Sequence, residues 1–152
     1  MQFSAAVISA ITVAVASAAT LGQRDEAAFK VSDFSAGCIP HSTQCLYHFT
    51  LLQPGTMETV GVECSALVSG NTDGTLPNIG KWEGTCKESS RTFWVVRQDD
   101  GLKLWASQQV SVASNTTASH LIPSSDLTMV HYSLGDIQSY NGPTAFDLVY
   151  DY

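Results

Sequence analysis

An antiparallel β-barrel, or the two-sheet sandwich that the same pattern permits, is the fold class this sequence predicts. Three observations carry it. Past its N-terminal leader the chain is a series of short apolar runs separated by Gly, Pro, Asn, Asp and Ser, without the sustained 3.6-residue period that helices need. Its best-defined runs are joined by tight-turn signals. Four cysteines, Cys38, Cys45, Cys64 and Cys86, stand around turn-rich segments, as in small exported domains clipped by disulfides.

The leader has no Lys, Arg, Asp or Glu before Arg24, and its apolar run ends in Ala16-Ser17-Ala18-Ala19. That is the apolar region and A-x-A cleavage pattern of a secretory signal, lacking only the usual basic start. Dilution by Ala, Ser and Thr and the absence of a basic stop-transfer flank argue against a membrane anchor. The expected organisation is a signal peptide over 1–18 and a single extracellular domain over 19–152, long enough to bury its own core. Seven Lys and Arg against 14 Asp and Glu give a net charge of −7, all of it beyond the leader. Such a surface repels phosphate backbones and anionic lipid, which excludes nucleic-acid binding and stable membrane insertion.

Each element has its own signal. FKVSDF (29–34) alternates weakly. LYHFTLL (46–52) runs into Gln53-Pro54-Gly55-Thr56, where Pro and Gly suit the two central turn positions, and METVGVEC returns as the partner strand. RTFWVVRQDDGLKLWASQQVSV (91–112) reads as a second hairpin. A two-residue turn at Asp100-Gly101 sets Arg97 opposite Leu104 and Val96 opposite Trp105; a three-residue turn sets Arg97 against Lys103, a like-charge pair, so the first register is preferred. It places Trp94, Val96 and Trp105 on one face and Phe93, Val95, Leu102 and Leu104 on the other. LTMVHYSL (127–134) and AFDLVYDY (145–152) are the remaining strands. Ahead of them SNTTAS (114–119) reads as a polar linker carrying an N-glycosylation triplet at Asn115.

Four cysteines allow three connectivities. Nearest-neighbour pairing, Cys38 to Cys45 and Cys64 to Cys86, is preferred because each pair brackets its own turn-rich segment. On chain-entropy grounds the larger bridge contributes about 3.4 kcal/mol and the smaller about 2.5 kcal/mol, as upper values. Against a typical net stability of about 5–15 kcal/mol these are large shares. The larger bridge is expected to hold a polar loop, residues 65–85, that hydrophobic burial cannot.

Signals for chemistry are sparse. His41, His48, His120 and His131 share no ligand spacing, LVSGN is not a nucleophile elbow, and Asp25-Glu26 and Asp99-Asp100 read as tail and turn residues. No cofactor motif or metal motif is present. Two contact surfaces are suggested instead: the face of Trp94, Val96 and Trp105, whose rings have a core reading as well, and the Cys64–Cys86 segment.

FKVSDF, together with CSA (64–66) followed by KWEGTC (81–86), resembles the secreted fungal family typified by the major allergen of Alternaria moulds, which includes hypersensitive-response-inducing elicitors of plant pathogens. The resemblance covers residues 29–86. It implies a compact antiparallel β-barrel, export from a fungus, no established catalytic activity, a disulfide between Cys64 and Cys86, and recognition by a plant surface or defence protein. The allergen's late cysteine pair and the extra N-terminal cysteine of its covalent dimer are missing here, so Cys38 and Cys45 form a separate clip and a monomer is expected. The expected function is that of an elicitor triggering plant cell death and defence without being an enzyme. The alternatives are a small-ligand or lipid carrier using the barrel interior, and a cell-wall hydrolase.

Overall fold

Phe29 and Val31 point inward from the first strand, as their alternation predicts, but Phe34 and Ala36 are buried too. The two sets have opposite parity. The switch is made at Asp33, which adopts φ 53° within a bulge where the register shifts between Ser32 and Ser35. One extra residue there turns the strand over, and Asp tolerates the left-handed conformation better than most side chains. The weak alternation of FKVSDF is the sequence trace of this bulge.

The computed structural model describes residues 26–151, and the signal peptide expected over 1–18 lies outside them. The strands are β1 (Ala27–Cys38), β2 (Gln44–Leu52), β3 (Val62–Ser69), β4 (Ile79–Cys86), β5 (Thr92–Gln98), β6 (Gly101–Ser111), β7 (Ser114–Pro123), β8 (Leu127–Tyr132), β9 (Gly135–Tyr140) and β10 (Phe146–Tyr150). β1 to β7 form a meander, and β10 inserts between β7 and β1 to close an eight-stranded antiparallel barrel. The barrel, not the sandwich, is the outcome. β8 and β9 form a separate hairpin, joined to the far half of β1 where Gly37 lies opposite Ser139.

Side chains fill the interior. Phe29, Tyr47, Phe49, Leu51, Phe93, Leu104 and Leu148 are fully buried, and Phe49 meets Phe93 edge to face at 4.9 Å. Burial of each such chain contributes on the order of 1.5–3 kcal/mol.

One end is plugged by Arg91. Its guanidinium forms a fork on Glu58, two bonds of 2.9 Å, and donates to the Leu51 carbonyl at 3.1 Å and to Gln108 Oε1 at 2.8 Å. METVG accordingly does not continue as strand: β3 starts only at Val62, because Glu58 is drawn in to pair with Arg91. The opposite end, which carries the Cys38–Cys45 clip, is plugged by Leu76. Tyr47 donates its hydroxyl to the Pro77 carbonyl at 2.7 Å, and Gln138 Oε1 accepts from Leu76 N and from Arg97. Among the described residues every buried side-chain nitrogen and oxygen has a partner.

Both expected disulfides are present. Each joins residues directly opposite in register. The role expected of the larger one is corrected, however. Most of 62–86 is strand; the Gly, Asn, Asp and Thr cluster is confined to a loop over 70–78, at the other end of β3 and β4 from the bridge. That loop orders itself. Asp73 accepts from the Thr75 amide and hydroxyl, and Asn71 donates to the Leu76 carbonyl. The bridge instead fastens β3 to β4, which pair only at Cys64–Cys86 and Ser65–Thr85.

The second hairpin is also corrected. Asp99-Asp100 is the turn, so Gln98 faces Gly101, Arg97 faces Leu102 and Trp94 faces Trp105. Gly101 is needed at the exit instead: it takes φ 154°, and a Cβ there would lie 1.9 Å from the Ile122 carbonyl oxygen. The shift is by two positions, so the assignment of side chains to faces survives. SNTTAS is likewise no linker. It begins β7, which pairs with β6 from Ser114 to Pro123.

Two outcomes are expected. Replacing Cys64 and Cys86 together with Ala removes up to about 3.4 kcal/mol, measured by chemical denaturation; a loss near zero would show that the seam between β3 and β4 holds unaided. Arg91→Ala costs about 3 kcal/mol, since it strands Glu58. Its hydrogen bonds from Arg91 hold the Glu58 carboxyl below its ordinary value of 4.5. A depressed folded-state pKa means that this stabilisation is present above that value and is lost as pH falls through the folded one. The unfolding midpoint should therefore drop on acidification below about pH 4.5, and Glu58→Gln should flatten that part of the profile.

Candidate functional site

At the clip end, three connections enclose an open groove of about 650 Å³. Its walls are the β1–β2 turn with His41 and Ser42, the β3–β4 loop with Asn71 and Asp73, and the β8–β9 turn with Leu134 and Asp136. Glycines allow these walls to meet. Gly70 donates to the Thr43 carbonyl at 2.8 Å, with the Cys45 sulfur so close that a Cβ would come within 2.9 Å. Gly74, at φ 79°, accepts from Gln138 N at 2.8 Å, and a Cβ there would strike the Asp136 carbonyl oxygen. Backbone contacts thus set the groove's shape.

No Lys or Arg lines the groove. The Thr75 hydroxyl and amide hold the Asp73 carboxyl below the usual range, so it stays ionised, and Asp136 pairs with His131. Anions are repelled there. Hydroxyl and amine donors are suited to it, with Pro40 and Leu134 supplying apolar contact. Residues 70–74 belong to the Cys64–Cys86 segment proposed as a contact surface from sequence; β8–β9, which completes the groove, left no sequence signal tying it there.

The tryptophan face is real but self-covered. Trp94 and Trp105 lie opposite each other on the outer surface and stack at 5.9 Å with an 8° interplanar angle. Trp82 joins them from β4, 4.7 Å from Trp94. It gets there through a bulge: Gly80 N donates to Glu83 Oε2, Trp82 takes φ 71°, and the register slips between Ile79 and Gly84. Lys81 lies over Trp82 and Trp94, Lys103 lies over Trp105, and Asp151 accepts from Trp105 Nε1 at 2.6 Å. Trp94 is left only 6% exposed, outside the barrel but inside this stack. Val96 remains exposed beside it.

The histidines do not share a site. His120 points inward from β7 and stacks on Phe146 at 4.2 Å, and burial lowers its proton affinity. His48 is half-buried in β2, while His41 and His131 are exposed. Among the described residues no group of three His, Cys, Asp or Glu side chains is placed to hold a metal ion. Asn115 is exposed near the β6–β7 tip, opposite Gln109. No helix of the described residues is long and apolar enough to cross a membrane. No protein-family model matches the sequence, and no curated protein matches it.

If the tryptophan row is structural, its members differ in cost. Trp94→Ala should lose about 3 kcal/mol or more, as large buried aromatics do, whereas Trp82→Ala should lose about 1 kcal/mol, being 42% exposed. Urea unfolding of the two variants measures this. Equal, small losses would assign the row to contact instead of to stability.

Proposed function

We propose that this protein is a secreted elicitor that acts on plants as a rigid recognition surface, without catalysis, and that the groove at the clip end makes the contact. The observation that carries the reading is the solid interior. Phe29, Tyr47, Phe49 and Phe93 occupy the space a carrier would need, and Arg91 and Leu76 plug the two ends. A partner is therefore met on the outside. The two disulfides suit an oxidising extracellular setting. The resemblance of FKVSDF, CSA and KWEGTC to the fungal elicitor family supplies the plant as host, and Cys64 and Cys86 are bridged as that family implies.

The test is infiltration of the purified mature protein into leaves. Folded protein should produce local cell death and defence responses, and thermally unfolded, reduced protein should not. Replacing Pro40 and Leu134, on opposite walls of the groove, with Ala should weaken the response about tenfold or more, since interface anchors are worth on the order of 2 kcal/mol each. Healthy tissue under folded protein would remove the elicitor reading. Full potency of the double variant would move the contact elsewhere.

A further inference from the structure

Among the described residues, β8 is the one strand of ten that has a neighbour on one side only. The barrel strands close on each other through β10 and β1, and β9 lies between β1 and β8. The outer backbone edge of Leu127–Tyr132 consequently offers amide and carbonyl groups that only another extended backbone can match in sequence.

The edge is not protected in the ways monomeric proteins protect theirs. LTMVHY contains no Lys, Arg, Asp, Glu or Pro, and its register with β9 runs from Leu127 to Tyr132 without a bulge. Met129 and Val130 are 47% and 38% exposed, and Leu134 stands out at the adjoining turn. A strand of this kind is a template for pairing.

We propose that β8 is a dimerisation edge, at which a second copy of the chain adds its own β8 antiparallel across a two-fold axis at Val130. Symmetry decides the centre. An axis normal to the sheet keeps every residue on its own face, so opposed residues must have the same parity, and the strands pair about a residue and not between two. Centring at Val130 also leaves out Leu127, which is packed against the core. Val130 then meets Val130 of the second copy, Met129 meets His131, and Thr128 meets Tyr132.

A second copy fits this edge for two reasons. The pairing opposes apolar, β-branched and aromatic residues with no like charges, although the chain as a whole carries −7. Asp136, across the hairpin from His131, is already engaged by it. No cysteine is free, so the association is non-covalent. One strand pair falls short of the roughly 1,200 Å² that stable interfaces bury, so the dimer is weak and depends on concentration.

Sedimentation equilibrium of the mature protein, from micromolar to millimolar concentration, tests this. The mass should rise toward twice the monomer value. Val130→Lys should weaken association at least tenfold while leaving the unfolding midpoint within a degree or two of the parent, and Met129→Lys should act in the same direction. Val112→Lys, at a 99% exposed position at the opposite end, should associate like the parent. A parent that stays monomeric throughout, a Val130→Lys protein that associates normally, or a Val112→Lys protein that loses association equally would each overturn the proposal.

Discussion

Closing the sheet on itself is the constraint on which the rest of this structure depends. A barrel leaves no edge among its own strands, but only if the thinnest seams hold. Two seams here are thin: β3 meets β4 at two residue pairs, and β7 meets β10 at two, Ser119–Val149 and Ala118–Tyr150. Each is tied by something besides the ladder. Cys64–Cys86 bonds the first covalently. At the second, Asp151, just beyond β10, accepts from Trp105 and pairs with Lys103 on β6, while His120 of β7 stacks on Phe146 of β10. Where backbone pairing is poor, side chains carry the closure.

The ends pose a different problem. A closed barrel of this size presents apolar interior to water at both mouths. At one mouth a charge is buried, which is costly unless its hydrogen bonds are complete. Arg91 has Glu58, Gln108 and the Leu51 carbonyl, and that set fixes the loop over 53–61. At the other mouth Leu76 is inserted, and the polar atoms around it are shared among Tyr47, Arg97 and Gln138. Burial pushes the Tyr47 phenol well above its ordinary value, so it stays a neutral donor to the Pro77 carbonyl. The first mouth is shut by chemistry and the second by shape.

What the sequence shows and hides follows from range. Strands with clear alternation were legible, as in Tyr47, Phe49 and Leu51, and so were both disulfides, because local pairing suffices there. The faces of β5 and β6 were legible although their register was not: parity is local, whereas the turn depends on Gly101 being crowded by Ile122 from β7. β7 is hidden because its first half, SNTTAS, is polar on both faces, so only its partner β6 reveals it as strand. Glu58 was read as strand because its reason for leaving the strand, Arg91, lies 33 residues away. Trp82 escaped notice in the tryptophan face because a bulge, not the alternation of β4, places it there. Of the groove, residues 70–74 could be suspected from their composition, but β8–β9 could not.

The asymmetry between the two ends traces back to Asp33. The closing strand β10 pairs with β1 only from Ala27 to Val31, before the bulge. Beyond it β1 has turned over, Phe34 N donates to the Thr144 carbonyl, and the next neighbour is β9, met at Gly37. The bulge thus divides one strand between two partners. The first half completes the barrel, and the second serves as the root of a hairpin outside it. That hairpin supplies Gln138 to the plug, Leu134 and Asp136 to the groove, and β8 as the unpaired edge. A single residue in a left-handed conformation therefore separates the half of β1 that closes the barrel from the half that roots the outlying hairpin.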